Sequence, residues 1–112
     1  MNANGENAGE CEICLVARLV PKTGQAAALA DAVLSIVDDV LQEDGCIAYI
    51  PHVAKGGTGG TGATGEVIMY EVWANQATLD AHAAGPNLGR LVIRFDELLA
   101  EPLQLEVLQR IG

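Results

Sequence analysis

The sequence predicts an α+β domain in which an antiparallel sheet carries its helices on one face, in the order strand, helix, strand, strand, helix pair, strand. Two observations predict it. Runs with strand alternation at 12–20, 46–53, 66–74 and 103–108 are interleaved with runs of helical spacing, and turn residues fall between them. The second and third strands are joined only by a Gly/Thr-rich connection at 55–65, so they pair directly as a hairpin.

In the first strand, Ile13, Leu15, Ala17 and Leu19 alternate with Cys14, Val16, Arg18 and Val20, a run largely apolar on both faces that reads as a strand buried on two sides. Pro21-Lys22-Thr23-Gly24 is a turn. Leu29, Val33, Ile36, Val37, Val40 and Leu41 then recur at helical spacing, with Asp31, Asp38, Asp39 and Glu43 off the stripe. Gly45 is expected to stop this helix in the left-handed conformation. Pro51 cannot donate to a ladder, which places the second strand at an edge or a bulge. Glu66 to Ala74 is the third strand, and Asn75 is a good N-cap for a short helix running to about Ala84. Pro86 starts a further helix in which Leu88, Leu91, Val92, Phe95, Leu98 and Leu99 form one stripe until Glu101-Pro102. Leu103, Leu105 and Val107 alternate with Gln104, Glu106 and Leu108 in a half-buried closing strand. The face of the sheet away from the helices is also apolar at several positions. Left open it would exceed the patch a monomer usually shows, so a homodimer through the sheet face is expected.

The chain's 112 residues make one domain, 11–112, preceded by a polar, Asn/Gly-rich segment at 1–10 that reads as a flexible tail. Half the residues are apolar, enough to drive folding. Fifteen acids against six bases disfavour nucleic acid and acidic membrane surfaces as partners. The start of the chain lacks the basic and apolar regions of a secretory signal, and no apolar run approaches the roughly 20 residues of a membrane span, so a cytoplasmic location is expected. Three cysteines do not make a disulfide framework. Cys11-Glu12-Ile13-Cys14 runs into a strand with no second pair to complete a zinc site, and Cys46 reads as a small buried hydrophobe. The Gly/Thr-rich stretch lacks the Gly-Lys-Ser/Thr ending of a phosphate-binding loop and reads as a mobile connection.

The chemistry gathers in Tyr70 to His82. Strand alternation puts Glu71 and Trp73 on one face with Val67 and Met69, and the helix after Asn75 can carry His82 back over that face. One segment then supplies an acid, a base and an aromatic wall. Glu71 among apolar neighbours needs a partner, and pairing with His82 would both satisfy it and hold the imidazole in one tautomer. His82 is the candidate general base; its bland alternative is a histidine satisfied within the fold. Trp73 is either the flat wall of a pocket or a core plug. Tyr49 is either a donor to a substrate oxygen or a core ring, and His52, at a strand end, is a surface or pocket-rim residue. Arg90 and Arg94, with Glu97 nearby, read as a solvated ion-pair face.

Gly45-Cys46-Ile47-Ala48-Tyr49, His52, Tyr70-Glu71-Val72-Trp73 and Leu79-Asp80-Ala81-His82, followed by an amphipathic helix and a closing strand, resemble the antibiotic biosynthesis monooxygenase family of the dimeric α+β barrel group. The resemblance covers residues 12 to 111 and implies a ferredoxin-like fold paired sheet to sheet. Proteins of this kind include cofactor-free quinol or polyketide oxygenases, haem-degrading enzymes, sugar-phosphate isomerases and members of no known activity. Haem-degrading relatives use an Asn on the first strand and a His on the later helix; Glu12 to Val20 has no Asn and Leu88 to Leu99 no His, so haem is not expected. The resemblance thus implies a monooxygenase without cofactor or metal, acting on a small aromatic, quinol or polyketide-like substrate. His82 and Glu71 would be catalytic, with Trp73, Tyr49 and His52 at the substrate. A proton-transferring isomerase and a non-catalytic small-molecule-binding dimer are the alternatives.

Overall fold

The computed structural model describes residues 11–55 and 65–112. The expected tail at 1–10 and nearly all of the Gly/Thr-rich connection lie outside the described residues. Eight elements follow one another: β1 (Ile13–Leu19), α1 (Ala26–Leu41), β2 (Cys46–Val53), β3 (Val67–Trp73), α2 (Gln76–Ala83), α3 (Pro86–Val92), α4 (Phe95–Leu98) and β4 (Gln104–Leu108). The four strands form one antiparallel sheet in the order β2-β3-β1-β4, the expected ferredoxin-like arrangement.

Strand alternation divides the sheet into two faces. Leu15, Ala17, Leu19, Tyr49, Val67, Met69 and Trp73 are buried toward the helices. Leu29, Val33, Ile36 and Val40 descend from α1 onto them, and Leu91, Leu98 and Leu99 close the core from the later helices. Leu29, Val40, Trp73 and Leu98 are completely buried. Each such side chain contributes roughly 1.5–3 kcal/mol by leaving water. The other face keeps Ile47, Ile50, Tyr70 and Leu108 partly in solvent. Pro51 lies on the edge strand β2, as a missing N–H requires.

Three expectations are corrected. The first helix ends at Leu41 with an α-type cap at Gln42, because the chain tightens: Gln42 and Glu43 N–H donate to the carbonyls of Asp39 and Val40. Gly45 does take a positive φ of 79°, but three residues past that cap, where it turns the chain into β2. A side chain there would collide with Thr78 of α2. The helix expected from Pro86 onward breaks at Ile93 and Arg94 into α3 and α4. The chain tightens at that point, where Arg94 N–H donates to the carbonyl of Leu91, and at the end of α4 the carbonyl of Leu98 accepts from Lys22 N–H and Leu99 bridges to Pro21, drawing the chain back to the sheet. Finally, all five residues of β4 are exposed rather than half-buried. The helices lie over β1, β2 and β3, and little covers β4.

Candidate functional site

The uncovered stretch beside β4 opens into a cavity of about 240 Å³ between the sheet and the helices. Its floor is read from the strand register. Tyr49 of β2 pairs with Glu71 of β3, Glu71 with Leu15 of β1, and Leu15 with Val107 of β4, so one row crosses all four strands and every member lines the cavity. The row is polar at the β2 end and apolar at the β4 end. Ala17, Met69 and Leu105 form the parallel row, and the small side chain of Ala17 leaves depth in the floor. The roof is Leu79, Asp80, His82 and Ala83 of α2 with Leu88, Leu91 and Phe95 beyond.

His82 reaches this roof because α2 starts sharply. Asn75 accepts from Thr78 N–H at 2.9 Å and Thr78 Oγ1 accepts in return from Asn75 N–H at 3.3 Å, a reciprocal cap. The imidazole is 3% exposed and stacks on the Trp73 indole, with centroids 4.5 Å apart and planes 29° apart. Tyr49 meets it edge-on at 5.5 Å. Its partner differs from expectation: Nδ1 lies 3.0 Å from Oε1 of Glu43, in the turn after α1, and Glu71 instead accepts from Trp73 Nε1 at 3.0 Å. Glu71 and Trp73 share a face two residues apart, so the indole N–H reaches the carboxyl before the helix above can. Nε2 of His82 makes no hydrogen bond to any described residue, although the ring is buried and lines the cavity.

Burial raises the Glu71 carboxyl above the usual carboxylate range, partly offset by the Trp73 N–H and the nearby imidazole. Burial, reinforced by Glu71 and Glu43, also pushes the Tyr49 hydroxyl upward, so it stays a hydrogen-bond donor at neutral pH. The Cys46 thiol is pushed up to about 11 for the same reasons. A pocket with this end can present a basic ring nitrogen, a phenol O–H and a carboxyl to one oxygen-bearing head group. Neither Lys nor Arg lines it.

His82, Glu71 and Tyr49 are therefore brought together at the cavity, while two other sequence candidates are not. Trp73 is wholly buried behind His82 and does not line the cavity; it is the plug rather than the wall. His52 is exposed on the outward side of β2, its Nδ1 3.3 Å from the carbonyl of Ile68, and it too is absent from the lining. Cys14 is buried in the sheet and Cys11 is exposed. Sequence reasoning missed Glu43 and Asn87, whose Nδ2 donates to the second oxygen of Glu43 at 2.9 Å. A signal existed. Asp39 and Glu43 sit at the carbonyl end of α1, where the helix dipole disfavours acids and no basic residue occupies the last turn, so both required partners from elsewhere.

Fold, cavity and sequence together define the class: the chain belongs to the antibiotic biosynthesis monooxygenase family, whose model matches residues 12–92. Among individual proteins it is similar to the probable quinol monooxygenase YgiN of Escherichia coli strain K12, with 32% identity over 80 residues that span 68% of this chain and 77% of that protein. Its fold matches protein SO0527 from Shewanella oneidensis with a TM-score of 0.75 at 26% identity, covering 88% of this chain and 90% of that one. Rv0793 from Mycobacterium tuberculosis shares the fold with a TM-score of 0.76 at 23% identity, over 90% and 96% of the two chains. No helix among the described residues is long and apolar enough to cross a membrane.

Proposed function

We propose that the protein is a cofactor-independent monooxygenase of small, un-ionised quinol-like aromatics, working as a homodimer joined through the outer sheet face. The observation that carries this is His82: a buried imidazole whose Nε2 has no partner among the described residues, at the polar end of an otherwise apolar cavity. A buried polar atom without a partner is costly, and a ligand hydroxyl would supply one. At about 240 Å³ the cavity lies below the roughly 300 Å³ at which ordinary ligand pockets begin, which suits one or two fused rings. The acidic lining and the lack of a lining cation disfavour carboxylate, sulfate and phosphate groups, and so disfavour a sugar-phosphate isomerase reading. The similarity to a probable quinol monooxygenase supports the same substrate class.

In this mechanism the substrate is the only reductant. His82 Nε2 takes a phenolic proton, and the resulting anion passes one electron to O2. Superoxide and the substrate radical then combine at a ring carbon. The O–O bond breaks with loss of water, so one oxygen atom stays on the ring and a hydroquinone leaves as a hydroxyquinone. Tyr49 donates a hydrogen bond to a substrate oxygen, Glu71 borders the same polar end, and the apolar walls keep bulk water from the radical pair. Metal-stripped protein should consume O2 with naphthohydroquinones above the enzyme-free rate, and His82→Ala should lower kcat by roughly 10²–10⁴-fold. No consumption with any hydroquinone sinks the proposal, and turnover that persists without O2 assigns the site to proton-transfer isomerisation.

A further inference from the structure

We propose that Arg90, Asn87 and Glu43 form a one-directional hydrogen-bond chain that fixes which nitrogen of His82 carries the proton, making Asn87 and Glu43 positioning residues. The direction is set at the surface. A guanidinium can only donate, and Arg90 NH1 donates to Asn87 Oδ1 at 3.0 Å while its NH2 is held by Asp39 Oδ2 at 2.8 Å. The Asn87 oxygen being taken, its Nδ2 donates to Glu43 Oε2 at 2.9 Å. Glu43 then offers Oε1, an acceptor, to His82 Nδ1 at 3.0 Å. His82 must donate from Nδ1, so in the neutral ring the lone pair stands on Nε2, the nitrogen without a partner among the described residues. Four residues from three segments, α1 with its following turn, α2 and α3, thereby prepare a base inside the cavity. When the ring becomes doubly protonated, the same carboxylate stabilises the cation.

Only a carboxylate accepts both bonds. Glu43→Gln retains one acceptor oxygen, so either Asn87 or His82 loses its partner. Asn87→Asp is nearly isosteric and places an acceptor against an acceptor.

The test reads the tautomer directly and only its activity arm rests on the proposed function. The chain has two histidines, so ring ¹⁵N spectra of histidine-labelled protein contain two signal sets, assigned with His52→Gln. In its neutral form the His82 ring should show a protonated Nδ1 and a bare Nε2. In Glu43→Gln and Asn87→Asp this signature should give way to mixed tautomers. Hydroquinone turnover in both should lose roughly 10–100-fold in kcat, with KM within about twofold. Arg90→Gln, altered only at the exposed end of the chain, should shift the tautomer in the same direction by a smaller amount. Arg94→Gln, whose partner Glu97 lies outside the chain, should leave spectra and turnover unchanged. A wild-type ring protonated at Nε2, or a tautomer unmoved by both Glu43→Gln and Asn87→Asp, overturns the inference. If the tautomer responds as stated but no hydroquinone is turned over, the chain stands and the oxygenase reading falls.

Discussion

Trp73 has one hydrogen-bond donor and gives it to Glu71, leaving the Glu71 carboxyl buried beside an aromatic plug rather than paired with a cation. Desolvation raises that carboxyl's pKa in the folded state, so between the unfolded value near 4.5 and the raised value the native protein binds the extra proton. Stability from this group is present below the unfolded pKa and is lost as pH rises through the folded one. Urea midpoints are therefore expected to fall as pH rises from about 4.5 through the raised folded-state value, and Glu71→Gln, which keeps an acceptor for Trp73 without a charge, should flatten that decline. An unchanged slope in the variant would assign the decline to another group. The sequence showed that Glu71 and Trp73 share a strand face, because alternation is local. It did not show which donor each acceptor receives. That choice was made by the height of α2 above the sheet and by a turn 39 residues before His82 that brings Glu43 beneath the ring.

At the scale of elements, the legible parts are those fixed by short-range rules: Asn75 as a cap, Pro86 as a helix start, Pro51 on an edge. The misread parts are those settled by tertiary contact. The end of α4 is set where Lys22 and Pro21 engage Leu98 and Leu99, partners more than seventy residues away in sequence. Gly45 was expected to serve α1 and instead serves α2: its bare α-carbon lets the turn that bears Glu43 approach Thr78 in the first turn of the helix that bears His82. The cap is thus part of the site's support. Asn75→Ala is expected to cost about 1 kcal/mol in urea unfolding. Because Thr78 is both cap partner and neighbour of Gly45, the same variant should broaden the His82 ring signals while leaving those of the exposed His52 unaltered.

Over the whole molecule, the sheet has one covered face and one that leaves Ile47, Ile50, Tyr70 and Leu108 between 37% and 53% exposed. Patches of that kind are closed by partners more often than left wet. The proposed homodimer should sediment at about twice the 11.7 kDa chain mass, and Tyr70→Lys, on the inner strand β3, should shift it toward the monomer without unfolding it. A wild-type chain that is monomeric at all concentrations would remove the dimer from the proposal. The row Tyr49, Glu71, Leu15 and Val107 gives the cavity its polarity, and it also has a mechanical meaning. It starts on the strand under α1 and ends on β4, which among the described strands pairs with β1 alone and carries Leu105 and Val107 bare to solvent on the cavity side. An apolar guest lying along that row would be the missing roof of the last strand. For the proposed substrate, occupancy and the cohesion of the sheet's free edge would then be one quantity, because a guest in the cavity would complete the core.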